Sequence, residues 1–233
     1  MIVNRLDWDS DFFGMRIGRT DIATEEEGAM LASQAKSLKE SFDLVYVFAS
    51  HGLAFSGDNA KLVDEKMVYT LSHLPCAGIE EEDNVVIWDC AKGFTDDLLH
   101  LALVSGKYSR FRLDDQFPVG SYERLYSRWV EQSVNRNMAS EVFCYMIEDT
   151  PRGLITLNRK EGSGTIGLVA IHEDFQHRGI GSTMMQHVIA YSKKKQVVKL
   201  TVATQLENNP ACKLYEKSGF KVQSVTDVWH WWL

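Results

Sequence analysis

Two periodicities alternate along the chain. Where apolar residues return every second position, or run unbroken for six to eight, they predict strands; where they return every three or four, they predict amphipathic helices. DLVYVFAS (43–50) is a continuous apolar, β-branched and aromatic run and reads as a buried strand. In KLVDEKMVYTLS (61–72) Met67, Tyr69 and Leu71 alternate as in a second strand, set off by the polar turn GDNA. Met30, Leu31, Ala35 and Leu38 form the stripe of a helix over about 25–39. Before it, LDWDSDFFGMRIGRTDI reads as an irregular start followed by a strand near 15–22. These elements predict a βαββ-like unit.

The acidic stretch GIEEEDN then marks a boundary, dividing the chain into a smaller N-terminal α/β domain (1–82) and a larger domain (83–233). The second part begins with a strand (85–90), a helix (about 94–105), the segment KYSRFRLDDQFP and a helix (about 122–135) with Leu125, Trp129 and Val130 inward. EVFCYMI, LITLNRK and TIGLVAI follow as strands joined by the turns EDTPRG and GSG. A long helix over about 179–194 has Ile180, Met184 and Val188 on one face, flanked by Met185 and Ile189. Lys193, Lys194 and Lys195 sit at its far end, where they suit the negative pole of its dipole. The strand KLTVAT, the helix PACKLYEKSG with Gly219 as its C-terminal cap, and the strands FKVQSV and VWHWWL complete an α/β pattern.

Composition narrows the class. A 45% hydrophobic content and six Trp fit a chain with real cores, and no apolar run reaches the roughly 18–20 residues of a membrane span. The N-terminus MIVNRLDWDS lacks a basic-then-apolar leader pattern, so the expected location is the cytoplasm, with no membrane partner. A net charge of −7 offers no broad basic face and argues against nucleic acid as a partner. Cys76, Cys90, Cys144 and Cys212 are far apart without a CxxC pair, which fits reduced thiols; no disulfide frame and no metal site are expected.

The candidate chemistry begins in LVAIHEDFQHRGIG (168–181), an apolar strand, a polar turn and a glycine-spaced helix start. Glycines let backbone approach a ligand closely, and a helix N-terminus presents unpaired N–H groups and a partial positive charge to a phosphate. Arg178 is a second candidate for phosphate. The competing reading is a tight strand-to-helix turn without a ligand. The order of elements, the Q-x-x-G-x-G turn and NNPACKLYEKSGF (208–220) resemble the GCN5-related N-acetyltransferase (GNAT) family from Val85 to the C-terminus. That resemblance implies the GNAT fold, a mixed, mostly antiparallel central sheet flanked by helices, in which one strand splays from its neighbour and acetyl-CoA enters the gap. It implies a cofactor site made by Leu168, Val169, Ala170, Gln176, His177, Arg178, Gly179, Ile180, Gly181, Ser182 and Asn208. Backbone N–H groups near Val169 would polarise the thioester carbonyl, and Tyr215 would protonate the departing thiolate; otherwise Tyr215 is a core tyrosine.

LDWDSDFFG, LVD, YSRFR and VATQLENNPACKLYEKSG are also similar to the TDP-fucosamine acetyltransferases, which N-acetylate a 4-amino-4,6-dideoxy sugar carried on dTDP. This implies a small-molecule substrate, a nucleotide-linked amino sugar. Asp64 then matches the carboxylate base, where the usual residue is Glu, and its shorter reach favours a water relay; otherwise it is a surface acid beside Glu65 and Lys66. Arg110, Phe111 and Arg112 are candidates for the substrate's diphosphate or a stacked ring, or form a solvated loop anchored by the Phe. His172 is a candidate to act on the amine or a structural histidine. Cys212 as an acyl-carrying nucleophile lacks an activating His or Asp placed by the sequence. Trp229, Trp231 and Trp232 are suited to core or to a subunit contact, so a homodimer is one expectation. The expected reaction is direct attack of a sugar amine on acetyl-CoA in a ternary complex. The alternatives are acetylation of another small amine or amino acid, and a catalytically silent acyl-CoA-binding module.

Overall fold

The computed structural model describes residues 1–75 and 84–233. Ten strands form one sheet: β1 (Asn4–Arg5), β2 (Ile17–Ile22), β3 (Leu44–Ser50), β4 (Ala60–Ser72), β5 (Val85–Ile87), β6 (Glu141–Ile147), β7 (Thr150–Lys160), β8 (Ser163–Ile171), β9 (Lys199–Gln205) and β10 (Lys221–Trp232). Their order across the sheet is β1-β2-β3-β10-β4-β9-β8-β7-β6-β5. The β2–β3 and β8–β9 pairs are parallel and the others antiparallel.

The C-terminal strand β10 lies between β3 and β4, so the expected N-terminal and C-terminal units share one continuous sheet. The junction expected at 82/83 and Cys76 lie outside the described residues. FKVQSV and VWHWWL, expected as two strands, are one long strand whose register against β4 shifts at Val222/Ser224 and at Val228/Trp229. The shifts absorb the polar middle of the segment without ending the pairing.

Helices α1 (Asp7–Phe13), α2 (Glu25–Ser33), α3 (Ala35–Leu38), α4 (Asp96–Ser105), α5 (Arg110–Leu113), α6 (Ser121–Val134), α7 (Ile180–Lys194) and α8 (Asn209–Lys217) cover both faces. Leu98 and Leu101 of α4 and Leu125 and Val130 of α6 pack with Val142, Leu154 and Leu168 on one face. Met184 and Val188 of α7 and Cys212 and Tyr215 of α8 pack with Phe143, Ile155 and Ile166 on the other. Trp231 is 1% exposed and belongs to a third cluster with Leu31, Val45 and Phe55, so the aromatic C-terminus contributes core.

Three local expectations are corrected. The start is helical: Trp8 and Phe12, four residues apart, stack at 5.0 Å, and Gly14 ends the turn in the left-handed region at φ 68. The helix expected over 25–39 breaks at Gln34. The strand from Val85 stops at Ile87, because Asp89 Oδ1 accepts from Ala91 N–H and caps a short 3-10 turn. Cys90, Cys144 and Cys212 are free thiols. Among the described residues no helix is long and apolar enough to cross a membrane.

Candidate active site

β8 and β9 pair in parallel from Ser163 and Lys199 to Ile166 and Val202, and then separate. Both strands continue, to Ile171 and Gln205, without pairing to each other. On its other side β8 carries a register shift against β7 between Ile155 and Leu157, where Thr156 Oγ1 accepts from Leu168 N–H at 2.8 Å. The residues past the last β8–β9 rung border two cavities. Val169, Ala170 and Ile171 line one of about 740 Å³. Ala203, Thr204 and Gln205 line another of about 650 Å³.

The larger cavity is also bordered by Gln176, His177, Gly179, Ile180, Gly181, Ser182 and Asn208, so most of the residues expected to hold a cofactor come together there. Gly179 is the N-cap of α7 at φ 84, and no side chain caps this helix. Ser182 N–H donates to Gly179 O at 2.9 Å, so the N–H groups of Ile180 and Gly181 are the ones that need another acceptor. A Cβ built on Gly179 meets nothing within 4 Å, so the turn is open, and His177 beside it is also left-handed at φ 61. Gln176 Nε2 donates to Ile171 O at 3.0 Å and ties the turn to the end of β8. Asn208 caps α8 through Ala211 N–H and donates to Thr204 Oγ1 at 3.1 Å. Lys107, Arg112, Lys213 and Lys217 add positive charge to the lining. An uncapped helix start, an open left-handed glycine and four cations fit a long ligand bearing several phosphates.

The smaller cavity joins elements far apart in the chain. Trp8 and Asp9 come from α1, Phe48 from β3, Asp64 and Lys66 from β4, Arg110 and Phe111 from α5, and Trp129 from α6. Asp64 Oδ1 is buried without a hydrogen-bond partner among the described residues. Burial pushes the Asp64 carboxyl up to about 6, with Arg110, Gln205 and Lys66 pulling the other way. Asp9 is likewise raised by burial and lowered by Arg110. The Arg110 guanidinium lies 4.1 Å from the Tyr46 ring centroid and 4.5 Å from that of Phe111. Its Nη1 is 3.0 Å from His230 Nε2, and His230 Nδ1 is 2.5 Å from Asp114 Oδ2.

Some expected residues lie elsewhere. Arg112 borders the larger cavity rather than joining Arg110, because two residues along a helical turn point to nearly opposite sides. Leu168 is 9% exposed in the core, and Arg178 does not border the larger cavity but donates to Asp174 O at 2.7 Å and lies over Phe175. Tyr215 is 3% exposed, its ring 5.6 Å from that of Tyr69, and it borders neither cavity, whereas its neighbour Leu214 borders the larger one. Burial pushes the Tyr215 hydroxyl well above the ordinary phenol value. The His172 ring lies tilted 4.9 Å from that of His100, which pairs with Glu173 at 2.9 Å. Cys212 is buried, its Sγ 3.7 Å from Gln205 O.

Asp9, Tyr46, Lys66, Asp114 and His230 escaped the sequence reading. The signal for His230 was present: it is a polar residue inside VWHWWL, on the strand face opposite Trp229 and Trp231. Asp9 lay in LDWDSDFFG, but an assumed irregular start assigned it no direction.

Residues 108–220 match the model of the acetyltransferase (GNAT) family. The chain is 30% identical over 132 residues to dTDP-fucosamine acetyltransferase of Escherichia coli O6:H1, covering 55% of each. It is 23% identical over 140 residues to the spore coat polysaccharide biosynthesis protein SpsD of Bacillus subtilis, covering 60% of this chain and 48% of that one. The chain thus spans about half the length of these curated relatives. A GCN5-related N-acetyltransferase from Sphaerobacter thermophilus superposes with a TM-score of 0.54 at 14% identity, over 91% of this chain and 72% of that one. The fold is the GNAT fold that the sequence led us to expect.

Proposed function

We propose that this chain, which carries an acetyltransferase domain of the GNAT family, moves an acetyl group from acetyl-CoA to the amine of a nucleotide-linked amino sugar. GNAT enzymes use acetyl-CoA, which when bound supplies the thioester carbonyl that the amine attacks. The cavity headed by Gly179 and Ile180 is the donor site in this reading, and the cavity holding Asp64 and Arg110 is the acceptor site.

The observation that carries the reading is Asp64, whose Oδ1 is buried and unpartnered among the described residues, in a cavity that also presents Arg110, Lys66, Trp8 and Phe48. A sugar ammonium must lose a proton before its nitrogen attacks. A carboxyl held at about 6 is ionised at neutral pH yet basic enough to take that proton, directly or through water. Arg110 and Lys66 suit a diphosphate, and the aromatic rings suit a base or sugar face. As the C–N bond forms and the C–S bond breaks, negative charge gathers first on the carbonyl oxygen and then on sulfur. Backbone N–H groups near Val169 stabilise the first. The Tyr215 hydroxyl, kept neutral by burial and bordering neither cavity, would have to come within reach of the second to donate a hydrogen bond to it. Full transfer from so weak an acid to a thiolate is uphill, so the last proton comes from solvent. The match to dTDP-fucosamine acetyltransferase of Escherichia coli supports the choice of acceptor.

The test is acetylation from acetyl-CoA of a dTDP-4-amino-4,6-dideoxyhexose against free amino acids and polyamines, with stabilisation by dTDP measured alongside. Preference for the nucleotide sugar by at least about a hundredfold in kcat/KM supports the reading. Equal turnover of free amines without stabilisation by dTDP moves the acceptor to another small amine. Acetyl-CoA binding without turnover on any amine makes the chain a silent acyl-CoA-binding module.

A further inference from the structure

We propose that Asp114 and His230 form a buried relay that aims Arg110 into the acceptor cavity, where Arg110 anchors the acceptor through its phosphate. The anchoring half rests on the nucleotide-sugar reading of that cavity.

The protonation states follow from the partners. Asp114, 2% exposed, accepts from Trp232 Nε1 at 3.1 Å and from Gln116 N–H at 3.2 Å, as well as facing His230 Nδ1. Two fixed N–H donors point at the carboxyl, and His230, Gln116 and Trp232 hold it below the ordinary aspartate value against the effect of its burial, so it is ionised. His230 Nδ1 therefore carries a proton and donates it. Burial brings the His230 ring down to about 4, so it holds no second proton at neutral pH. Its Nε2 is left with a lone pair, and an arginine has only donors to offer it. The Arg110 Nη1–H to His230 Nε2 contact at 3.0 Å is thus a hydrogen bond whose direction Asp114 sets from the far side of the ring.

The rest of Arg110 is held by rings. Its guanidinium lies over Tyr46 and beside Phe111, while Tyr46 and Phe117 pack on His230 at 4.9 and 5.4 Å. Among the described residues His230 is the sole hydrogen-bond partner of the Arg110 guanidinium, and no carboxylate comes within ion-pair distance of it. Asp9 and Asp64 act on its charge without touching it. A desolvated cation with one fixed N–H and the others unpartnered is arranged to receive an anion. A carboxylate and a histidine are buried to fix the angle of one half-buried guanidinium, which a purely packing role would not need.

The test titrates dTDP and inorganic pyrophosphate by calorimetry into protein saturated with CoA, so that the larger cavity is filled. Arg110→Gln and His230→Phe should each weaken both probes by roughly tenfold to a hundredfold. CoA affinity should hold within about twofold, which also shows that the variants fold. The nucleotide-sugar KM should rise in His230→Phe with kcat nearly unchanged. His230→Gln should recover most of the loss, because its amide again offers one donor and one acceptor. Wild-type affinity in His230→Phe overturns the relay, and wild-type affinity in Arg110→Gln overturns the anchor. Arg110-dependent binding of pyrophosphate with no gain for dTDP leaves the anchor standing and sinks the nucleotide reading instead. If His230→Phe loses CoA binding, the imidazole nitrogen spectrum of the wild type decides: a proton on Nε2 rather than Nδ1 overturns the relay.

Discussion

Ile166 on β8 and Val202 on β9 form the last rung of a parallel pair whose strands both run on, and both cavities are bordered by residues beyond that rung. Parting two strands inside a sheet leaves backbone N–H and C=O groups without partners, a cost the fold carries only where something else meets them. An extended polar ligand lying between the strands does so. The same parting leaves β8, which leads to the Gly179 turn, next to β9, whose last rung against β4 joins Gln205 to Lys66, two residues from Asp64.

Gly179 at φ 84 is the hinge of the cavity proposed to hold the donor. Alanine fits the space, since a Cβ there meets nothing, but not the backbone angle. The strain of about 1–2 kcal/mol is relieved by shifting the turn, which moves the N–H groups of Ile180 and Gly181. Gly179→Ala should raise the KM for acetyl-CoA by about tenfold and lower the melting temperature by about 2–6 °C. An unchanged KM in a steady-state titration would remove this turn from cofactor binding.

Asp64 should set the acid limb of the rate. Its folded value, about 6, lies above that of an ordinary aspartate, and only the ionised form accepts a proton. Log kcat/KM should therefore fall by about one per pH unit below about 6. Asp64→Asn should abolish that limb and reduce kcat by about 10²–10⁴. Because Arg110 pulls the Asp64 value down, Arg110→Gln should move the limb above 6. A limb that stays in place in Asp64→Asn would assign it to another group.

Reading the sequence was most successful where one short segment carries its own instruction. The unbroken run 43–50 reads as a buried strand, and QHRGIG marks the polar turn and glycine-spaced helix start at the head of α7. The acceptor cavity was legible only through Asp64, Arg110 and Phe111. Asp9 of its lining, and Tyr46 and His230 that hold Arg110 from behind, come from α1, β3 and β10, and they meet only because the last strand inserts between β3 and β4. No local pattern states that insertion. Arg112 was misplaced for the opposite reason: YSRFR was read as a loop, whereas Ser109 Oγ accepts from Phe111 N–H and starts a helical turn that separates the two arginines.

Tyr215→Phe tests the leaving-group role against a packing role. The ring sits between Tyr69 and Phe220, contacts that phenylalanine keeps, so stability should change by less than about 1 kcal/mol. If the hydroxyl stabilises the departing thiolate, kcat should fall by about a hundredfold with the KM for acetyl-CoA unchanged. Wild-type kcat would leave Tyr215 a core residue.

Asp64 and His230 also give opposite pH dependences to stability. His230 is lowered to about 4 in the folded state, so between its ordinary value near 6.5 and 4 the unfolded chain binds the extra proton, and this group loses stability as pH falls. Asp64 is raised to about 6, so between 3.8 and 6 the folded chain binds the extra proton, and this group loses stability as pH rises. Over their shared window, about pH 4 to 6, the two contributions oppose each other. Replacing Asp64 with Asn removes one side. The melting-temperature difference between Asp64→Asn and wild type should be near zero at pH 4 and grow up to pH 6. Above that it should be constant, at a stabilisation on the order of 2–3 kcal/mol. The variant should thus be more stable at pH 7 while nearly inactive, as expected when a buried charge is kept for chemistry. A difference independent of pH from 4 to 7 would show that Asp64 is not held protonated in the folded protein and would remove it as a tuned base.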